Sequence, residues 1–68
     1  MPAIKFRPRK EKRMLSGHPW IYQAEIGDID QGILDGDTAE IRDHRGRFLG
    51  RGYVNRKSQI VSRVLTYD

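Results

Sequence analysis

Residues 48–54, FLGRGYV, limit the possible fold more than any other stretch, because they alternate like a β-strand and set two glycines on one face. One face of this strand would consist of Phe48, Gly50, Gly52 and Val54, and the other of Leu49, Arg51 and Tyr53. Glycine inside a strand marks a bend or a close approach of another backbone, which small barrels require where the sheet turns a corner. The stretch therefore predicts a tightly curved sheet.

Two further strands flank this one and complete a β-meander. Residues 38–42 alternate, with Ala39 and Ile41 on one face. The turn DHRGR that follows offers Gly46 for a position that needs a positive φ. After a second turn, NRKS, residues 59–65 form the last predicted strand.

The first residues of the chain predict a strand and a short helix. Residues 3–7 alternate so that Ile4 and Phe6 face inward. Pro8 suits the first turn of a helix of about two turns, and Gly17 suits the left-handed residue just past its end. One face of this helix would be cationic, with Arg9, Lys12, Arg13 and Ser16, and the core side would hold Met14 and Leu15.

An extended segment and a long connection follow the helix. Pro19 biases His18 away from helical angles, so residues 20–22 should be extended, and we expect Trp20 to pack into the core and anchor the helix there. The alternative for this tryptophan is stacking on an exposed base. IGDIDQGILDGD indicates a turn-rich connection without a helix. The fold class is therefore mainly β with one short helix (α+β), a small curled sheet with the helix at one opening.

Charge is divided into three blocks along the chain of 68 residues, whose net charge is +4. Residues 1–13 hold six cations and one carboxylate, residues 25–43 hold seven carboxylates and one cation, and residues 44–63 hold six cations and no carboxylate. If the two basic blocks meet in space, they form one positive face that attracts a polyanion. The alternative is a salt-bridged surface on which the acidic block neutralises both.

Several kinds of chemistry are disfavoured by the sequence. The chain has no cysteine, which removes thiolate ligands and nucleophiles and fits a reducing cytoplasm. His18 and His44 lie far apart without partners at metal-ligand spacing, and DIDQGILDGD departs from a calcium loop. No apolar run approaches the roughly 20 residues that cross a bilayer. We therefore expect a cytoplasmic protein that binds neither a metal nor a membrane.

Four stretches resemble a known family in order and spacing: RMLSGHPWIYQAEI, the GD pair before a strand, DHRGRFLGRGYVN and SQIVSRVL. They are similar to the N-terminal PUA domain of bacterial S-adenosylmethionine-dependent 23S rRNA (cytosine-5) methyltransferases. The most specific parts are the block from Gly17 to Trp20 and the block from Leu49 to Tyr53, the latter followed by Asn55, Ser58 and Arg63.

The resemblance implies a PUA-like pseudobarrel that binds structured RNA, with ribosomal RNA as the expected partner. In the family a Rossmann-type methyltransferase domain with a catalytic cysteine follows, whereas this chain has neither a cysteine nor a glycine-rich loop for the cofactor. We therefore expect residues 1–68 to be a single RNA-binding domain, a fragment of a larger methyltransferase. Catalysis and S-adenosylmethionine would then belong to the methyltransferase domain in cis.

The candidate RNA contacts combine the cationic helix with polar and aromatic residues of the second half. They are Arg9, Lys10, Lys12, Arg13, Ser16, His18, Arg51, Tyr53, Asn55, Arg56 and Arg63. Tyr53 is the stacking candidate, because it shares a strand face with Arg51 and bases stack on both aromatic rings and guanidinium planes. The alternative function is a small protein-interaction barrel that does not bind RNA.

Overall fold

Six strands form one sheet in the order β2-β6-β5-β4-β1-β3 in the computed structural model, which describes residues 2–67. The strands are β1 (Ala3–Phe6), β2 (Trp20–Tyr22), β3 (Ile26–Ile29), β4 (Thr38–Arg42), β5 (Phe48–Val54) and β6 (Ile60–Tyr67). The α-helix α1 spans Lys12–Leu15, and a 3-10 turn spans Gln23–Glu25. The pair β1–β4 is parallel, and the other pairs are antiparallel. The predicted fold class, mainly β with one short helix, is confirmed.

The sheet curls on itself, and its connectivity shows why it must. Strands β2 and β3 stand at opposite edges of the six-stranded order, yet only the 3-10 turn Gln23–Glu25 separates them in the chain. The four steps of the chain from Tyr22 to Ile26 span at most about 14 Å, whereas six strands laid flat at about 4.8 Å would put the edges about 24 Å apart. The two edges must therefore approach each other, which gives the half-barrel shape consistent with a PUA-like pseudobarrel.

The core of this half-barrel draws its buried residues from the helix, the loop before β4 and every strand except β3, whose partly buried Ile26 and Ile29 pack against it. Its buried members are Ile4, Phe6, Met14, Ile21, Ile33, Ala39, Ile41, Leu49, Val54 and Val64. The inward orientation predicted for Ile4 and Phe6 is confirmed, since these residues are 0% and 2% exposed. The same holds for Ala39 and Ile41, both fully buried.

Gly50 and Gly52 let the backbone of β6 lie very close to that of β5, as the sequence predicts. A Cβ atom at Gly50 would overlap the carbonyl oxygen of Thr66 and lie 3.1 Å from Cε of Met14. A Cβ atom at Gly52 would lie 2.5 Å from the carbonyl oxygen of Arg63. The register of the β5–β6 pair shifts between Arg51 and Gly52, so the ladder bends where the backbones are closest.

The helix is shorter than predicted and begins later. Residues 8–11 form turns instead of helix, and Arg9 has a left-handed φ of 69°, which places Pro8 outside the first helical turn. The end of the helix is as predicted, because Gly17 has φ 102°. The amides of Gly17 and His18 donate to the carbonyls of Met14 and Arg13, the pattern of a Schellman motif.

Three apolar side chains lie on the opposite side from the one predicted. Trp20 is 49% exposed because Ile21 is fully buried and neighbouring strand residues face opposite ways. Leu15 is 51% exposed, since the short helix turns only Met14 into the core. Leu49 is buried, because a register shift between Ile41 and Arg42 leaves it as the extra residue of a bulge.

Strand β3 forms inside the segment predicted as a turn-rich connection. It pairs antiparallel with β1, with Ile4 opposite Ile29 and Lys5 opposite Asp28. Gly27 and Asp28 interrupt its alternation, so the segment carries a weak strand pattern and depends on β1 for its hydrogen bonds. Among residues 2–67, no helix has the length and apolar character needed to cross a bilayer.

Candidate nucleic-acid interface

Most carboxylates of the acidic block accept hydrogen bonds from backbone amides at turns and strand ends. Asp30 accepts a hydrogen bond from the amide of Ala3, and Asp37 accepts one from the amide of Leu34, both at 2.9 Å. Glu25, which is 8% exposed, accepts one from the amide of Tyr22 at 2.9 Å. Such bonds satisfy donors that the turns leave unpaired. Much of the acidic block therefore serves the local backbone.

Ion pairs neutralise only part of the positive charge. Within residues 2–67 the pairs are Arg13–Glu25, Arg42–Glu40, Arg47–Asp43 and Lys57–Asp35. In the same part of the chain, the basic side chains without a carboxylate oxygen within 4.0 Å include Arg9, Lys10, Lys12, Arg45, Arg51 and Arg63. The salt-bridged alternative thus fails for these side chains, which come from both basic blocks.

Trp20, Arg63 and Tyr53 lie side by side across strands β2, β6 and β5, and we call them the aromatic row. Trp20 is opposite Arg63, and Arg63 is opposite Tyr53. Directly opposed residues of an antiparallel pair have Cβ atoms about 4.5–5.5 Å apart. Trp20 and Tyr53 are 49% and 50% exposed, and Arg63 is also exposed. Two flat rings therefore face solvent on either side of an exposed arginine.

Arg51 extends the same outer face along β5. It stands two residues before Tyr53, so both side chains leave the sheet on one side, and both are exposed. Its guanidinium carbon lies 5.8 Å from the centre of the Phe48 ring, within range of a cation–π contact. The expected common face for Arg51 and Tyr53 is confirmed, and Arg63 and Trp20 join it.

The helix residues do not form the single cationic face that the sequence predicts. Arg9 precedes the helix in a left-handed conformation, so helical spacing does not place it. Arg13 turns toward Tyr22, with its guanidinium carbon 5.0 Å from the ring centre and Nη1 3.8 Å from Glu25 Oε1. The hydroxyl of Ser16 donates to the carbonyl of Lys12 at 2.9 Å. The remaining candidates on this side, Lys10 and His18, are exposed in the turns before and after the helix.

Asn55 and Arg56 lie in the turn between β5 and β6, against the acidic block. The amide of Arg56 donates to Asp35 Oδ1 at 2.7 Å, and its Nη1 donates to the carbonyls of Gln31 and Ile33 at 3.2 and 3.3 Å. The side-chain oxygen of Asn55 accepts from the amide two residues on. In this structure Arg56 therefore fastens the loop before β4.

The helix and the turn between β4 and β5 face each other across an open cleft of about 450 Å³. Arg9 and Lys12 line it from the helix side, and Arg45 and Arg47 line it from the turn. We call this the helix–turn cleft. It brings together cations of the first and last charge blocks. Arg45 and Arg47 belong to the stretch DHRGRFLGRGYVN but are not among the predicted RNA contacts, because nothing in the sequence shows that this hairpin turn comes close to the helix.

Asp43 organises that turn. Its Oδ1 accepts from the amides of Arg45 and Arg47, both at 2.9 Å. The bond from the Arg47 amide, the bond from the Arg45 amide and the charges of Arg47 and His44 hold the pKa of Asp43 below its ordinary value of 3.8, against a smaller upward effect of burial. The ionised carboxylate thus fixes the backbone of both arginines.

Substituting Asp43→Asn should lower the melting temperature at neutral pH and lose that effect in acid. A carboxyl group whose pKa is lower in the folded state stabilises the fold above its unfolded pKa, and this stabilisation disappears as the pH falls through the folded pKa. Thermal unfolding of both proteins between about pH 6 and pH 2 should therefore show the gap in melting temperature closing at the acid end. A gap that stays constant across this range would contradict the role of the ionised form.

No metal centre is visible in the described part of the chain. No three His, Cys, Asp or Glu side chains there lie close enough together to hold a metal ion. The aromatic row and Arg51 instead offer cations and flat rings to solvent, which suit phosphates and unstacked bases.

Comparison with known proteins finds a matching family model and several similar proteins. A family model described as a PUA-like domain matches residues 4–67. A ribosomal RNA large subunit methyltransferase I from Shewanella amazonensis is 40% identical over 65 residues, which cover 96% of this chain and 16% of that protein. The proteins of the same name from Aeromonas salmonicida and Escherichia coli are 44% and 39% identical over 59 residues, covering 87% of this chain and 15% of each protein. The chain spans about a sixth of the length of these relatives.

Proposed function

Because the chain belongs to the family of PUA-like domains, we propose that it is an RNA-binding module that positions structured ribosomal RNA for a methyltransferase domain in the same polypeptide. The relatives named ribosomal RNA large subunit methyltransferase I support the choice of RNA. The finer proposal is that the modified base is a cytosine of 23S rRNA and that the methyl donor is S-adenosylmethionine, bound by the catalytic domain. Residues 1–68 are then one domain without catalytic activity of its own.

The observation that carries this proposal is the aromatic row. Unstacked bases of RNA loops stack on aromatic rings and on guanidinium planes, and the row offers both at adjacent positions of three strands. Tryptophan, tyrosine and arginine are also enriched at protein interfaces. The choice of RNA over a protein partner is therefore supported by the family match and by the exposed cations beside the row.

Phosphates are the second half of the proposed contact. Arg51, Arg63 and Lys12 are exposed and have no carboxylate within 4.0 Å among residues 2–67, so their charge is available to the RNA backbone. Phosphate contacts position an RNA strand without reading its bases, and each contact releases counterions on binding. Sequence preference would then come from the bases that stack on the row.

The dependence of affinity on salt tests this function. The probe is a fluorescently labelled RNA hairpin with an unpaired loop, titrated with the chain between about 50 and 200 mM salt. The logarithm of the binding constant should fall linearly with the logarithm of salt concentration, by about 0.7 for each phosphate contacted in a single strand. Arg63→Gln should make this slope shallower by about 0.7.

Lys57→Gln is the matched control, because it removes the same charge from a side chain that lies 4.0 Å from Asp35 beside the acidic block. Its slope should equal that of the unsubstituted chain. RNA binding that does not change with salt, or an equal loss in both variants, would overturn the proposal and favour the protein-interaction barrel.

A further inference from the structure

The helix–turn cleft carries more positive than negative charge, and its carboxylates do not cancel the excess. Arg9, Lys12, Arg45 and Arg47 supply four cations, whereas the carboxylates that line the cleft are Glu11 and Asp43. Asp43 is held by two backbone amides and lies 3.7 Å from Nε of Arg47. Arg9, Lys12 and Arg45 have no carboxylate within 4.0 Å in the described chain. The cleft therefore attracts an anion.

The cleft is continuous with the outer face that carries the aromatic row. Leu15 and Arg47 line both the cleft and a neighbouring depression that ends at Phe48. The guanidinium of Arg51 stands over the Phe48 ring, and Arg51 shares its face of β5 with Tyr53. Tyr53 is six positions after Arg47, which is about 20 Å at the rise of an extended strand. Between Arg47 and Tyr53, the side chains of Phe48 and Arg51 lie along this path.

We infer that the aromatic row, Arg51 and the helix–turn cleft together form a binding path for single-stranded RNA, which we call the track. The inference rests on the proposed function and extends it to Arg45 and Arg47, which are not among the predicted RNA contacts: a strand whose bases stack on the aromatic row passes Arg51 and enters the helix–turn cleft. There Arg45 and Arg47 hold its phosphates from one side, and Arg9 and Lys12 hold them from the other. The half-exposed Leu15 gives the sugar an apolar floor.

The track predicts an affinity that grows with the length of the RNA and depends on the turn arginines. The probes are oligouridylates of about 4 and about 12 nucleotides, the range that small barrel domains cover. The unsubstituted chain should bind the longer probe more tightly. Arg45→Gln/Arg47→Gln should weaken the longer probe about tenfold at low salt and make its salt slope shallower by about 1.4, while the short probe binds as before.

Two controls separate loss of contact from loss of structure. Arg7→Gln/Lys57→Gln removes the same two charges from places away from the track, since Arg7 lies beside Gly27 and Lys57 lies 4.0 Å from Asp35. It should leave both probes unaffected. Arg45→Gln alone spares the ion pair of Arg47 with Asp43 and should give about half of the change in slope, with an unchanged melting temperature.

The results distinguish this inference from the function on which it rests. If the unsubstituted chain binds neither oligouridylate nor the RNA hairpin, the proposed function fails, and the track fails with it. The other outcome is that the unsubstituted chain binds both oligouridylates, while Arg45→Gln/Arg47→Gln still binds the longer probe more tightly and with the same dependence on salt. In that case the track is overturned and the proposed function stands.

Discussion

Replacing Gly52 by alanine is expected to lower the free energy of unfolding by about 3 kcal/mol, at the upper end of the cost of overpacking a core. The added Cβ would lie 2.5 Å from the carbonyl oxygen of Arg63 and 2.8 Å from the hydroxyl oxygen of Ser62. The first of these atoms belongs to the backbone of β6, so strand β6 must move to relieve the overlap. A chain of 68 residues has only about 3–10 kcal/mol of total stability. Urea denaturation monitored by circular dichroism measures the loss.

Gly32→Ala is the matched control for this substitution. No heavy atom lies within 4 Å of a Cβ built at Gly32, which belongs to the loop before β4. Its unfolding midpoint should therefore equal that of the unsubstituted chain or rise slightly, because alanine restricts the unfolded state. Gly50→Ala should behave like Gly52→Ala, since its Cβ would meet the carbonyl oxygen of Thr66. Equal stability of the three variants would show that β6 does not approach β5 this closely.

Trp20→Ala and Tyr53→Ala should each weaken binding of an RNA hairpin with an unpaired loop by about 1–3 kcal/mol, or about 5-fold to 150-fold in the dissociation constant. Each substitution removes a flat ring on which a base can stack, while Arg63 between them is kept. Because both side chains are also about half buried, each substitution lowers the free energy of unfolding to some extent, so urea denaturation must show that each variant is folded where its binding is measured. Trp20 is the only tryptophan, so quenching of its fluorescence on addition of RNA reports the contact directly.

Leu34→Ala controls for the loss of an exposed apolar side chain, because Leu34 is 70% exposed in the acidic part of the chain. It should bind RNA with unchanged affinity. Trp20→Phe keeps a ring at the same position and should retain most of the affinity that Trp20→Ala loses. Alanine variants that bind the hairpin as tightly as the unsubstituted chain would remove the aromatic row from the interface.

The parts of the fold that the sequence predicts are those decided by neighbouring residues. Gly17 after the helix and Gly46 in the hairpin both adopt positive φ, because a tight turn or a helix end needs that conformation wherever it occurs. Gly50 and Gly52 mark the curved strand, because alternation puts them on the inner face. Such features depend on a few adjacent residues and can be found without knowledge of the tertiary structure.

The parts that the sequence does not predict depend on residues far apart in the chain. Strand β3 forms because β1 needs a partner, and Leu49 turns inward because the ladder with β4 is shifted. Arg45 meets Lys12 across a cleft only because the sheet curls and brings the hairpin turn to the helix. For Trp20, alternation with Ile21 is a local signal that the side chain is exposed, whereas the general preference of tryptophan for cores indicates the opposite.

The position of β2 in the sheet has a consequence for how the protein is made. Strand β2 (Trp20–Tyr22) takes its ladder from β6 (Ile60–Tyr67), which the ribosome adds about 40 residues later. At about 5–20 residues per second, β2 waits several seconds for this partner, longer than any other strand of the sheet waits for a first neighbour. During that time Trp20 and Ile21 stand on an unpaired edge, a site for wrong association. Folding of this domain during translation is therefore completed by its last strand.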